Sequence, residues 1–267
     1  MSHLFMQNKI IIAGPCALES REQIRTCVKH LKAMGIIYVR ASLWKPRTSP
    51  GWEGLGMLGM SMLLEETLGE GMIPATEVIC AQEAQAIVDA MNNFPPSAKV
   101  LIWLGSRNQN HFEQQQIAQV LANGSPNINL MFKNQMWEDS KHWFGIFEHL
   151  KLKLPINRLL SCHRGFRQGS GYPNPEQFRN IPDFDMAMEM KERMGIPMLL
   201  DPSHIAGSSQ KVATVMKMAR HHHFDGFMIE VHDKPKLAKT DVSQQLSFSE
   251  LEEILSYLHS MSYSQAA

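Results

Sequence analysis

Residues 9–16 read KIIIAGPC, and residues 21–35 read REQIRTCVKHLKAMG. The first is a run of apolar, β-branched side chains that ends in a Gly-Pro turn and a thiol, as a buried strand does. The second places Ile24, Val28 and Leu31 at helical spacing and stops at a glycine, as an amphipathic helix does. Strand followed by helix is a unit that cannot bury its own apolar face. Its repetition along the chain therefore decides the fold.

The unit recurs eight times. The strand-like runs are Lys9–Cys16, Ile37–Ser42, Met72–Val78, Val100–Gly105, Ile128–Asn134, Arg158–Phe166, Pro197–His204 and Gly226–His232. Helical segments such as AQEAQAIVDAMNN, NHFEQQQIAQVLANG and DMAMEMKERMG lie between them, and the last, SFSELEEILSYLHS, opens with a Ser-x-x-Glu capping box, Ser247 with Glu250 or Ser249 with Glu252. Strands apolar along their length that alternate with helices belong to a parallel sheet covered by helices. Eight units without a Pro/Gly linker predict an α/β protein, a single-domain (β/α)8 TIM barrel over residues 1–267. AGPCALES is no GxGxxG, so a dinucleotide fingerprint is missing. Two longer connections, Leu43–Gly59 and Arg167–Pro182, are the expected substrate loops.

Composition narrows the partners. The 26 basic residues balance 26 acidic ones, so bulk charge favours neither nucleic acid nor a membrane surface. Cys16, Cys27, Cys80 and Cys162 form no CxxC pair, and MSHLFMQNK lacks the apolar core of a signal peptide. The expectation is a cytoplasmic protein with no disulfide framework. The tract His221–His223 reads as a frayed helix end, since neighbours on a helix point about 100° apart. The 19 methionines read as helix packing.

In a (β/α)8 barrel, chemistry gathers where the strands finish. Those positions hold Cys16, Arg40, Thr76-Glu77, Arg107, Lys133-Asn134, His163-Arg164, Asp201 with His204, and Glu230 with His232, while loops add Lys45, Arg47 and Asp241. Cys16, His204, Glu230 and Asp241 offer sulfur, nitrogen and two oxygens, a set suited to one divalent Mn, Fe, Co or Zn and poorly to Mg. Arg40, Lys45, Arg47, Arg107, Lys133 and Arg164 would repel one another unless an anion sits among them, so a ligand carrying several negative charges is expected.

AGPCALES, WKPRTSPGWEGLG, ATEV, LGSRN, KN, HRGF, DPSH and DGFMIEVHDKP with TDVSQQ, in this order, resemble the short type I 3-deoxy-D-arabino-heptulosonate 7-phosphate (DAHP) synthases, relatives of the 3-deoxy-D-manno-octulosonate 8-phosphate synthases. The likeness runs from about residue 9 to residue 256. It implies a transferase that condenses phosphoenolpyruvate with erythrose 4-phosphate at the start of the shikimate pathway, as a homo-oligomer, dimer or tetramer. It assigns the metal to Cys16, His204, Glu230 and Asp241. Phosphoenolpyruvate falls to Lys45, Arg107, Lys133 and Arg164, with Arg40 behind them and further contacts from Glu77, Gly105 and Ser106. Arg47, Thr48 and Ser49 would grip the aldose, and Lys45 would act as general acid. Ser106 and His163 depart from the family pattern, which commonly has Ala and Glu there. No added regulatory or chorismate mutase domain is expected, and with it no sensitivity to aromatic amino acids. The rivals are the octulosonate phosphate synthase, for which an Asn-Arg-Ser-Ser-type segment would replace KPRTSP, a Schiff-base aldolase using Lys133, and a non-catalytic phosphometabolite-binding barrel.

Overall fold

The computed structural model describes residues 9–45, 51–167 and 174–264, with the side chains described through residue 258. Eight parallel strands close into a barrel in the order β1 (Ile10–Gly14), β10 (Gly226–Glu230), β9 (Met198–Leu200), β6 (Leu159–His163), β5 (Ile128–Lys133), β4 (Val100–Leu104), β3 (Ile73–Glu77) and β2 (Tyr38–Arg40). Closure falls between the first and last barrel strands, where Ile10 pairs with Gly226 and Gly14 with Glu230. Gly226 is required there: a Cβ would sit 2.0 Å from the Ile10 carbonyl oxygen. Gly14, at φ 147°, leaves room at the other end of β1 for the Arg40 carbonyl oxygen, which a Cβ would approach to 2.1 Å.

Residue parity divides the core. Ile12, Ala75, Leu101, Trp103, Met131, Leu160, Cys162, Leu199 and Met228 fill the barrel interior, while Ile11, Ile102, Phe132, Leu159 and Ile229 face the helices. Side chains alternate along a strand, so the inward row of each strand continues upward beyond this apolar plug. Leu101 and Trp103 lead to Gly105, Met131 to Lys133, Leu160 and Cys162 to Arg164, and Met228 to Glu230. The cysteine at 162 is thus part of the plug, fully buried below the cavity.

Side-chain caps start several of the helices: Ser20 for α1 (Arg21–Ala33), Asn110 for α4 (His111–Asn123), Asp139 for α5 (Ser140–Lys151) and Asp183 for α6 (Phe184–Met194). For α9 (Phe248–Ser264) the box is Ser247 with Glu250; the Ser247 N–H donates to Glu250 Oε2 at 2.7 Å and the Glu250 N–H to Ser247 Oγ at 3.3 Å.

Three expectations need correction. The run Pro197–His204 is strand only over Met198–Leu200; Asp201 then caps a short helix α7 (Pro202–Ala206) with Pro202 as its first residue, and His204 rides on that helix. The run Arg158–Phe166 is strand over Leu159–His163, preceded by a 3-10 turn at Ile156–Arg158. Phe166 leaves the barrel at Gly165, φ 76°, to form β7 (Phe166–Arg167), paired antiparallel with β8 (Asn180–Ile181). The expected loop Arg167–Pro182 therefore begins and ends in a two-stranded ribbon.

Candidate active site

A cavity of about 810 Å³ opens at the C-terminal mouth of the barrel. Trp103 forms part of its wall, with the Arg40 guanidinium 5.1 Å and the Lys133 ammonium 5.8 Å from the ring centroid. Around it stand Lys45, Glu77, Gly105, Ser106, Arg107, Arg164, His204 and Asp241. Every cation of the expected cluster among the described residues is present; Arg47, Thr48 and Ser49 lie outside those residues.

The donor set meets on one side of this cavity. One ligand atom each from Cys16, Glu230 and Asp241 lies within 4.8 Å of the other two. His204 is not in that close trio, but its Nε2 is 3.8 Å from Glu230 Oε1. Cys16 and Glu230 are fully buried. Asp241, at φ 46°, takes the left-handed conformation, which an Asp tolerates better than most residues. Its carboxylate accepts from Cys16 Sγ at 3.2 Å and from Arg179 Nη1 at 3.0 Å.

The electrostatics suit a divalent cation. Burial and then Glu230 push the Cys16 thiol far up, against the pull of Lys45, whose Nζ is 3.2 Å from the sulfur. Burial would also raise the Asp241 carboxyl, but His204 and Lys45 outweigh it and hold it well below the usual carboxylate range. Glu230 Oε1 lies 3.1 Å from Arg40 Nη2, yet no donor makes a hydrogen bond to it. A buried carboxylate oxygen left so, beside a sulfur, an imidazole and a second carboxylate, is the environment a divalent transition ion satisfies. The residues fit the metal.

The other side suits an anion. Arg40 Nε and Nη1, Arg164 Nη1, Ser106 Oγ and Thr240 Oγ1 are buried and have no hydrogen-bond partner, and all four residues line the cavity. Such atoms cost free energy unless a ligand pairs them. Burial, with Arg179 and Arg107 adding to it, brings the Arg164 guanidinium down to about 10, so it stays charged at neutral pH. Asp201 beneath is fully buried; burial alone would raise its carboxyl, but His204 and Lys133 hold it well below its ordinary value.

Second partners fix the first. Gln245 Oε1 accepts the Cys16 N–H at 2.9 Å, Gln244 Nε2 donates to Glu230 Oε2 at 2.7 Å, and Ser203 Oγ accepts the Glu230 N–H at 2.9 Å. Asn134 Oδ1 accepts the Arg164 N–H at 2.8 Å. The sequence reading did not assign Arg167, Arg179, Asn180 and Thr240, which also line the cavity. The first three come from the ribbon and the segment before it, where no periodic signal exists.

His163 ends β6, one residue before Arg164. It is buried against Trp143, ring centroids 5.6 Å apart, and its Nε2 accepts the Asp183 N–H at 3.1 Å. Burial, assisted by Arg164, lowers its pKa to about 3. An unfolded chain binds a proton at this imidazole below about pH 6.5, while the folded chain refuses it down to about pH 3. Stability contributed by His163 is thus complete above pH 6.5 and lost as pH falls toward 3, at about 1.4 kcal/mol per unit. His163→Gln, which keeps an acceptor, is expected to flatten the fall of thermal midpoint between pH 6.5 and 4; an unchanged slope would refute this assignment.

A family model described as the DAHP synthetase I family matches residues 6–265. A phospho-2-dehydro-3-deoxyheptonate aldolase of Thermotoga maritima is 27% identical over 246 residues, which cover 92% of this chain and 67% of that protein. The crystal structure of a phospho-2-dehydro-3-deoxyheptonate aldolase (DAHP synthase) from Thermotoga maritima matches with a TM-score of 0.83 at 25% identity, over 96% of this chain and 70% of that one. A truncated form of 3-deoxy-D-arabino-heptulosonate 7-phosphate synthase from the same organism matches in fold, with a TM-score of 0.79 at 22% identity over 96% of this chain and 87% of that one.

Proposed function

We propose, from the premise that the chain belongs to the DAHP synthetase I family, that it condenses phosphoenolpyruvate with erythrose 4-phosphate to 3-deoxy-D-arabino-heptulosonate 7-phosphate and inorganic phosphate, at the start of the shikimate pathway. The observation that carries the reading is the adjacency of the Cys16, Glu230 and Asp241 donors to a cavity walled by unpaired cationic nitrogens.

In this reading Cys16, His204, Glu230 and Asp241 hold one divalent ion, Mn, Fe, Co or Zn. When bound, it supplies a Lewis acid that polarises the aldehyde carbonyl. Loading it displaces the Cys16 proton, since a thiolate is the ligand form. Arg107, Lys133 and Arg164 take the phosphate and carboxylate of phosphoenolpyruvate, backed by Arg40 and helped by Ser106 and the Gly105 backbone. Glu77 packs where a Cβ on Gly105 would meet its Oε1 at 1.9 Å, so that glycine lets the carboxylate close over the turn. Arg47, Thr48 and Ser49 grip the aldose. C3 of phosphoenolpyruvate bonds to the aldehyde carbon, and Lys45 Nζ gives a proton to the aldehyde oxygen as its charge grows. Water adds at C2, the C2–O bond to phosphorus-bearing oxygen breaks, and phosphate leaves with the electron pair as C2 becomes a ketone. The cations stabilise the charge on the departing group.

The four cysteines are unpaired, which supports a reducing, cytosolic location; no helix among the described residues is long and apolar enough to cross a membrane. A homo-oligomer, dimer or tetramer, is part of the proposal. It draws support from the helix α2 (Gly56–Leu68), which leaves Met57 and Leu58 exposed on its outer side.

The decisive assay is phosphate release from phosphoenolpyruvate with erythrose 4-phosphate or arabinose 5-phosphate, with and without chelator. Turnover with the four-carbon aldose, abolished by EDTA and restored by Mn, is expected. Preference for the five-carbon aldose would make the protein an octulosonate phosphate synthase instead. EDTA resistance with borohydride trapping of a Lys133 adduct would point to Schiff-base chemistry, and no turnover with either aldose to a binding protein.

A further inference from the structure

Asp201 touches both halves of the site with one carboxylate. Its Oδ1 accepts the His204 N–H at 3.0 Å, which fixes the first turn of α7. Its Oδ2 accepts from Lys133 Nζ at 2.6 Å and lies 2.8 Å from His204 Nδ1, which makes no aligned hydrogen bond while Lys133 holds that oxygen. Asp201 is fully buried and Lys133 nearly so, so water does not screen these contacts. A single oxygen is therefore contested by a cation of the anion-binding wall and an imidazole of the donor set.

We infer that Asp201 is a positioning residue that makes occupancy of the anion wall and of the metal centre favour each other. An anion that takes the Lys133 ammonium draws Nζ away from Oδ2. The released carboxylate charge then faces His204 Nδ1–H alone, and the opposite nitrogen, Nε2, becomes a stronger donor. In the other direction, demand on the Nε2 lone pair makes Nδ1–H a better hydrogen-bond donor. Asp201 turns its charge toward the ring, and Lys133 is freed for the anion. The two effects are one coupling free energy and must be equal. The inference rests on the proposed roles of His204 and Lys133.

Attraction between a bound cation and a nearby anion also couples them, so the test has to separate that contribution. Asp201→Asn keeps a helix-capping side chain of the same shape and removes the charge. Mn affinity would be measured by calorimetry with and without phosphoenolpyruvate. For Asp201→Asn, Mn binding without phosphoenolpyruvate is expected to weaken about 10- to 100-fold. The factor by which phosphoenolpyruvate tightens Mn binding is expected to fall below that of wild type, leaving the through-space part. Should the single variant fail to fold, because Lys133 is left unpaired, Asp201→Asn is placed in a Lys133→Met background and compared with Lys133→Met alone. The same loss of Mn affinity is expected there. Unchanged Mn affinity and an unchanged enhancement by phosphoenolpyruvate in Asp201→Asn would overturn the inference, as would equal Mn affinity with and without Asp201→Asn in the Lys133→Met background. A wild-type chain that binds neither Mn nor phosphoenolpyruvate would instead overturn the reading of the site.

Discussion

Cys16→Ala purifies as a folded barrel with little metal and, when assayed with added Mn, turns over about 10²-fold slower or worse. The fold should survive because nothing structural depends on the sulfur. Backbone contacts hold the segment: the Cys16 N–H donates to Gln245 Oε1 at 2.9 Å, and the Ser42 N–H to the Cys16 carbonyl oxygen at 3.3 Å. Both persist in alanine. What alanine removes is the one soft donor facing Asp241 and Lys45. The remaining oxygens and imidazole form a harder, more weakly binding set. Two measurements check this together: metal content by elemental analysis, and thermal unfolding against wild type. An alanine variant that keeps one metal per chain and a near-normal rate would remove Cys16 from the centre. A variant that does not fold would show that the thiol holds the strand end, and Cys16→Ser would then carry the test, with the same loss of metal expected.

The barrel was legible because its two signals are periodic. Apolar strands alternating with helices mark eight units, and the strand ends point to Lys133, Arg164 and Glu230, which the structure sets above Met131, Cys162 and Met228 by inward parity. Where periodicity stops, so did the reading. DPSH contains a helix start, Asp201 as cap and Pro202 at the first position, but it follows the apolar strand so closely that the two read as one run. The consequence is chemical: on a helix, His204 brings its own backbone N–H and its ring to the same carboxylate, which a strand end would not. Arg179 is a still clearer case. It reaches Asp241 and Gln244 across more than sixty residues of chain, and Asn180 anchors its neighbourhood by donating to the His204 carbonyl oxygen. Such pairings depend on how β7 and β8 meet, and no local spacing announces them. Cys16 and Glu230 sit at or just beyond a strand end, where barrel geometry forces convergence, whereas Asp241 joins them from the loop after the last barrel strand.

Lys45→Met is expected to lower kcat by about 10²- to 10⁴-fold while changing the affinity for phosphoenolpyruvate far less and leaving metal content near wild type. The ammonium sits 3.2 Å from Cys16 Sγ and faces the cavity from outside the strand ends, tethered by its own N–H to the Glu53 carbonyl oxygen at 2.8 Å. Burial disfavours its charge, but Cys16, Glu77, Glu230 and Asp241 together outweigh burial and raise its pKa. It therefore enters the reaction with its proton in place. Arg40, Arg107, Lys133 and Arg164 already supply positive charge for the anion, so binding tolerates the loss of one more cation. What the three arginines do not supply is a proton, because a guanidinium holds its own too tightly, and the Lys133 ammonium is held by Asp201 Oδ2 at 2.6 Å. Lys45→Arg separates the two roles. If Lys45 donates a proton, arginine restores binding and leaves kcat low. If it serves only as a cation, arginine restores the rate, and methionine raises the Kd for phosphoenolpyruvate in equilibrium binding with kcat at saturation unchanged. That second pattern would end the general-acid assignment and leave proton delivery to water.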